Sequence, residues 1–154
     1  MRYARYLDDE LLIEKYVVDV TRKEVYDDEG ANFEYGIKIP EKFVPIFQGQ
    51  QLVVTRGYGR KGHPVIINIF LESAWEEFEE RLNKLPTTSD KRLRRLASFF
   101  TGDATDTELT VENKIVIQEH LINIANIDRQ CLFLVIHQED GMRFAVACKD
   151  MFDD

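Results

Sequence analysis

Two stretches of this chain, 78 residues apart, carry one pattern. Gly36-Ile37-Lys38-Ile39-Pro40-Glu41-Lys42-Phe43-Val44 lies against Lys114-Ile115-Val116-Ile117-Gln118-Glu119-His120-Leu121-Ile122, with apolar positions on apolar positions and Glu41 on Glu119. After a two-residue insertion, Leu52-Val53-Val54 meets Leu132-Phe133-Leu134, and Trp75 falls opposite Phe152 where each stretch closes. Each copy reads as a strand, a short helix and a hairpin, which leaves one sheet face bare. Two copies therefore have to close on each other. The expected fold is β-rich α+β, with two pseudo-symmetric units forming a barrel capped by helices and a helical pair as the connector.

Local patterns divide the chain accordingly. Residues 1–31 form an irregular, acidic amino-terminal extension with one strand around Tyr16–Val20 and a turn at Asp27-Asp28-Glu29-Gly30. Residues 32–71 are the first unit: a strand ending at Pro40, a helix over Glu41–Phe47 stopped near Gly49, then two β-branched runs joined by a long loop. Residues 72–101 are the connector. Ala74, Trp75, Phe78, Arg81, Leu82 and Leu85 follow a helical period, and after Pro86 a second helix runs to Phe100, with Leu93, Leu96 and Ala97 on its apolar stripe. Residues 102–154 return to strands and make the second unit, with a short helix over His120–Ala125 and a hairpin turn at Glu139-Asp140-Gly141. Trp75 and Phe152 are expected core anchors.

Charge is segregated along the chain. The net charge is −8, yet residues 81–95 hold Arg81, Lys84, Lys91, Arg92, Arg94 and Arg95 against Asp90 alone, so the remainder carries −13. Thr55-Arg56-Gly57-Tyr58-Gly59-Arg60-Lys61-Gly62-His63 is a second cationic stretch without an acid. This balance excludes a general nucleic-acid coat, whose affinity comes from neutralising phosphates, and it is compatible with a site-specific binder. The loop reads either as a solvated hairpin tip or as a phosphate contact; Arg92, Arg94 and Arg95 read as DNA contacts or as ion-pairing surface.

Catalysis and metal binding find little here. His63, His120 and His137 are scattered, and Gly57-x-Gly59-x-x-Gly62 has no helix predicted after it, as a phosphate-binding loop requires. Glu76, Glu77, Glu79 and Glu80 read as a solvated helix face. Cys131 and Cys148, both in apolar runs, read as reduced core residues. No catalytic residue, metal ligand or cofactor is assigned. With no long apolar run and with Asp8-Asp9-Glu10 soon after the start, the expected location is cytoplasmic and not membrane-bound.

Over about residues 32–152 the sequence resembles the MraZ family of SpoVT/AbrB-like regulators. The resemblance rests on Ile37-x-Ile39-Pro40-x-x-Phe43, Leu52-Val53-Val54-Thr55-Arg56-Gly57, Trp75-Glu76-Glu77-Phe78-Glu79-Glu80, Leu85-Pro86, the arginine-rich stretch ending at Phe99-Phe100, and Gly102-Asp103-Ala104-Thr105 before Glu108-Leu109, in that order. The family's hallmark Asp-x-x-x-Arg falls on Asn32 and Gly36 in the first half and on Thr110 and Lys114 in the second, so both copies are degraded. The resemblance implies a double-split β-barrel. It also implies a non-enzymatic transcriptional regulator, nucleoid-associated, that binds promoter repeats in double-stranded DNA upstream of the division and cell-wall gene cluster as a ring-like homo-oligomer. Arg56, Arg60, Lys61, Lys114, Arg92 and Arg95 are the candidate DNA contacts. The alternative is a diverged member that has lost DNA binding and serves as an oligomeric protein-interaction or structural module.

Overall fold

A computed structural model describes Leu7 and residues 12–153. The basic start and the acidic run Asp8-Asp9-Glu10 that entered the reading of location lie outside the described residues. Eight strands form one sheet: β1 (Leu12–Asp27), β2 (Gly30–Lys38), β3 (Gln51–Gly57), β4 (Ile66–Leu71), β5 (Thr105–Glu108), β6 (Lys114–Gln118), β7 (Gln130–Gln138) and β8 (Gly141–Cys148). Their spatial order is β5-β3-β4-β8-β7-β1-β2-β6, and every pairing is antiparallel. The two edge strands meet again through a bridge between Leu109 and Ile115 and through the Thr107 hydroxyl, which donates to the Val116 carbonyl at 2.9 Å. The sheet is thereby a nearly closed barrel, which removes most of its exposed edge.

Strand alternation fills the inside. Ile37, Ile39, Leu52, Val54, Ile67, Ile69, Ile115, Ile117, Phe133 and Val146 all point into one apolar cluster. Two short helices plug the barrel. A 3-10 turn (Glu41–Phe43) and α1 (Val44–Phe47) deliver Phe43, Val44 and Phe47, and α4 (Glu119–Ile124) delivers Leu121 and Ile122 to the same cluster. Phe47 and Phe144 pack edge to face at 4.8 Å. Both plugs stop at a left-handed residue, Gly49 (φ 74°) after α1 and Asn126 (φ 55°) after α4, the conformation that closes helices with little steric cost only for Gly or Asn.

The strand expected around Tyr16–Val20 is much longer than the sequence reading allowed. Leu12–Asp19 pairs with β7, and Val20–Asp27 pairs with β2 alone, so β1 is an interior strand of the barrel whose far half runs out as a ribbon. The period-two signal faded there because both faces of that half are wet.

The outside of the sheet carries the connector. α2 (Glu72–Asn83) buries Trp75 and Leu82, and Trp75 stands 5.3 Å from the Phe70 ring over Val53. Ala74, placed on the apolar stripe by its spacing, is exposed. Asp90 caps α3 (Lys91–Thr101) by accepting from the Arg92 N–H at 2.8 Å. Trp75 is a core anchor as expected, whereas Phe152 is only half-buried. The chain turns after Cys148 so that Met151, fully buried, fills that place. Cys131 and Cys148 are free and buried, and desolvation pushes their thiols up to about 12 and about 11.

Candidate nucleic-acid interface

The cationic loop after β3 is anchored to the end of α3 by several contacts. Thr55 donates its hydroxyl to the Phe100 carbonyl, and Arg56 Nε donates to the Phe99 carbonyl at 2.9 Å while pairing with Asp103 at 3.3 Å. The Arg56 guanidinium also lies over the Phe99 ring at 4.6 Å, and Tyr58 stacks on the same ring at 4.2 Å. Arg56 is thus a strut between β3 and α3. Arg60 donates to the Met151 carbonyl at 3.2 Å and faces the Phe152 ring at 5.5 Å, tying the loop to the carboxy-terminal turn. Lys61 is exposed.

Gly57 and Gly59 serve packing, whereas Gly62 takes φ 84° with open space around it. A side chain at Gly59 would meet the Pro64 carbonyl oxygen at 2.5 Å and the Met151 methyl at 3.0 Å, and one at Gly57 would collide with the amide of Asn68. The loop is followed by β4 and not by a helix, so no helix N-terminus faces it.

Helix α3 holds the freest cations. Lys91, Arg92, Arg94 and Arg95 are all exposed over its first turns, while Leu93, Leu96 and Phe100 turn toward the sheet. Arg92 is 89% exposed and only 3.8 Å from Asp90, a pair that solvent screens. A helix that displays four exposed cations off its apolar stripe can neutralise several phosphates at once.

The hallmark positions have two different settings. Thr110–Lys114 is a tight turn between β5 and β6. The Thr110 N–H donates to the Lys114 carbonyl at 2.9 Å, and the Lys114 N–H donates to the Thr110 hydroxyl at 3.2 Å. Asn113 takes φ 63° to close it, and Lys114 Nζ pairs with Glu112 at 3.2 Å. Asn32 and Gly36 instead lie along β2. The Asn32 amide donates to Asp27 at 2.6 Å, and Gly36 pairs with Val116 on one side and Thr21 on the other. The six candidate contacts are therefore distributed over β3 (Arg56), the β3–β4 loop (Arg60 and Lys61), α3 (Arg92 and Arg95) and β6 (Lys114).

The sequence reading passed over Asn68 and Arg143. Both stand inside apolar strands, and among the described residues Asn68 Oδ1 and Arg143 Nε are buried without a hydrogen-bond partner. The only signal available was a polar residue interrupting an otherwise apolar run. Among the described residues no group of His, Cys, Asp and Glu side chains converges as a metal cluster, and no helix is long and apolar enough to cross a membrane.

Fold and surfaces define the class: an eight-stranded barrel plugged by short helices, with its cations gathered on an outer helix. Among curated proteins the chain is similar to the transcriptional regulator MraZ of Caldanaerobacter subterraneus subsp. tengcongensis, at 29% identity over 96 residues, 62% of this chain and 62% of the relative. The chain thus covers less than two thirds of that relative's own length. No family model matches the chain.

Proposed function

We propose that the protein is a MraZ-like transcriptional regulator that binds promoter DNA as an oligomer of two-unit barrels. The observation that carries this reading is the charge on α3: Lys91, Arg92, Arg94 and Arg95 stand exposed on one helix of a chain whose net charge is −8. Its similarity to a named transcriptional regulator points the same way. So does the topology, in which β2 pairs with β6 and β4 with β8, so that two strands of one proposed SpoVT/AbrB-like unit meet their counterparts in the other. Ile37 sits directly across from Ile115, its counterpart in the repeat.

In this mechanism Arg92 and Arg95 supply phosphate contacts, Lys61 and Lys114 add to them, and Arg56 and Arg60 hold the loop and α3 in place. Several barrels on one fragment, each contacting one repeat, raise the affinity through effective concentration without new contacts. The resemblance supplies the target, short repeats upstream of the division and cell-wall gene cluster.

One observation favours the second reading, an oligomeric protein-interaction or structural module without DNA binding. The first-half hallmark positions are built into a strand, and Arg56 is taken up by Phe99 and Asp103. Titration of a repeat-bearing promoter fragment at several salt concentrations separates the two. A regulator gives a specific shift with a steep negative salt slope, and Arg92→Ala with Arg95→Ala lowers that slope by about two. No specific shift and no salt slope sinks the regulator reading.

A further inference from the structure

A cavity of about 460 Å³ lies between α2 and the β7–β8 hairpin, on the outside of the barrel. Part of its wall is aromatic, from Phe70, Phe78 and Phe100, while the neighbouring Phe144 turns its ring into the barrel. The antiparallel register sets Asn68 across from Ala145, two residues along β8 from Arg143, so Asn68 and Arg143 project to the same face of the sheet. Both line the cavity, and among the described residues neither Arg143 Nε nor Asn68 Oδ1 has a partner.

Arg143 is half-buried with its Nε enclosed and without an acceptor, and because a guanidinium stays charged, even partial burial without an anion is costly. Desolvation lowers the Arg143 pKa, in line with that penalty. The acids in the same wall do not relieve it. Glu77 is held by Arg81 at 2.7 Å, and Asp140 makes no ion pair with Arg143 among the described residues. A fold that keeps a buried donor and a buried acceptor unpaired on one face, in a partly aromatic cavity of small-molecule size, has the composition of a ligand site.

We propose that this cavity binds a small organic acid with an apolar body and a hydrogen-bond donor next to its carboxylate. The carboxylate accepts from Arg143, the donor meets Asn68 Oδ1, and the body packs among Phe70, Phe78 and Phe100. The proposal stands apart from DNA binding and survives the failure of that reading.

N-acetyl-L-phenylalanine has this chemistry, with an amide N–H beside its carboxylate, and its neutral carboxamide is the matched control. In calorimetric titration of the full chain the acid binds saturably and the carboxamide binds at least about tenfold more weakly, as loss of a charge-assisted bond requires. Arg143→Gln abolishes acid binding while leaving the melting temperature without ligand unchanged or higher, because a partly buried, unpaired charge is removed. Arg143→Lys keeps the charge but loses the planar fork, and binds the acid about tenfold more weakly. Equal binding of acid and carboxamide, binding of neither, or unchanged acid affinity in Arg143→Gln overturns the proposal. Should Arg143→Gln fail to fold, the acid and carboxamide comparison in the native chain decides. If a second copy of the chain fills the cavity, Arg143→Gln changes the sedimentation coefficient and the acid does not bind, which also overturns it.

Discussion

The first and second halves of the barrel each contain a hairpin leading into the strand that carries the repeat, and the two hairpins are built to different lengths. In the second, the chain passes from Thr107, paired with Leu52, to Ile115 through the turn Thr110–Lys114. In the first, it passes from Val17, paired with Leu132, to Ile37 through a turn at Asp28-Glu29. Leu52 and Leu132 are matched positions of the repeat, so the first hairpin is longer by about twelve residues, six per arm, or roughly 20 Å at the rise of a strand. Neither β7 nor β6 reaches that extra length: β7 pairs with β1 only as far as Asp19, and β6 pairs with β2 only from Glu34 onward. A two-stranded ribbon without a third strand is marginal in water. Here it is helped by the Arg22 guanidinium over the Phe33 ring at 4.6 Å, while Tyr26 remains 77% exposed.

The difference explains the hallmark positions physically. Where the turn stayed close to the barrel, Thr110 and Lys114 close it with their own backbone and hydroxyl bonds. Where the turn moved outward, the matching Asn32 and Gly36 became strand residues, and a side chain at Gly36 would press on Thr21 at 3.0 Å and on Lys114 at 3.1 Å. One spacing in the sequence performs two structural jobs.

The contrast between a barrel-supported hairpin and a free ribbon can be broken in several ways. Ile115→Ala, at the fully buried seam between β2 and β6, is expected to lower unfolding free energy by about 3 kcal/mol in guanidinium titration. An effect below about 1 kcal/mol would show that the seam does not hold the barrel. Asn113→Val forces a β-branched residue into the left-handed region and is expected to cost about 1–2 kcal/mol, whereas Asn113→Gly costs nothing measurable. Removal of Glu24, Val25, Asn32 and Phe33 takes out two facing pairs and preserves both register and face. The melting temperature is then expected to stay within about 2 °C, since exposed contacts contribute little. A large loss would mean that the ribbon is supported by something beyond its own two arms.

The smallest expected effect is one of pH, at the supported end of β1. Glu14 accepts from the Tyr16 hydroxyl at 2.5 Å and meets His137 Nε2 at 2.6 Å, and these bonds hold its carboxyl below the ordinary 4.5. A carboxyl lowered by folding contributes stability above its unfolded pKa and loses it as pH falls through the folded value. Glu14→Gln is therefore expected to flatten the melting temperature slightly between about pH 5 and 3, while leaving the profile at neutral pH parallel to that of the native chain.

Sequence legibility followed burial. Wherever a strand or helix hides one face, as in Gly36–Val44, Leu52–Val54, the α2 stripe and Cys131–Ile136, the apolar period is enforced and could be read directly. The ribbon half of β1 hides neither face, so it read as irregular. The candidate cations were legible as a cluster, but their roles were not. Arg56 and Arg92 have the same side chain, yet Arg56 is tied to Phe99 and Asp103 through contacts across 43 and more residues of chain, and Arg92 projects into solvent. Met151 took the buried place expected for Phe152 because the last turn, which no period specifies, chose which of them faces inward.

By itself the sequence determined the apolar pattern common to residues 36–44 and 114–122, the order of strands and plugging helices, and the gathering of charge on α3, because all three are local patterns or spacings along the chain. The tertiary structure alone decided that the ends of the sheet meet, that the first turn stands far from the barrel and the second close to it, and that Asn68 and Arg143 share one cavity unpaired. These are facts of which distant strands lie side by side. Pairing between strands is settled by the closure of a common core, and no short window of residues contains it.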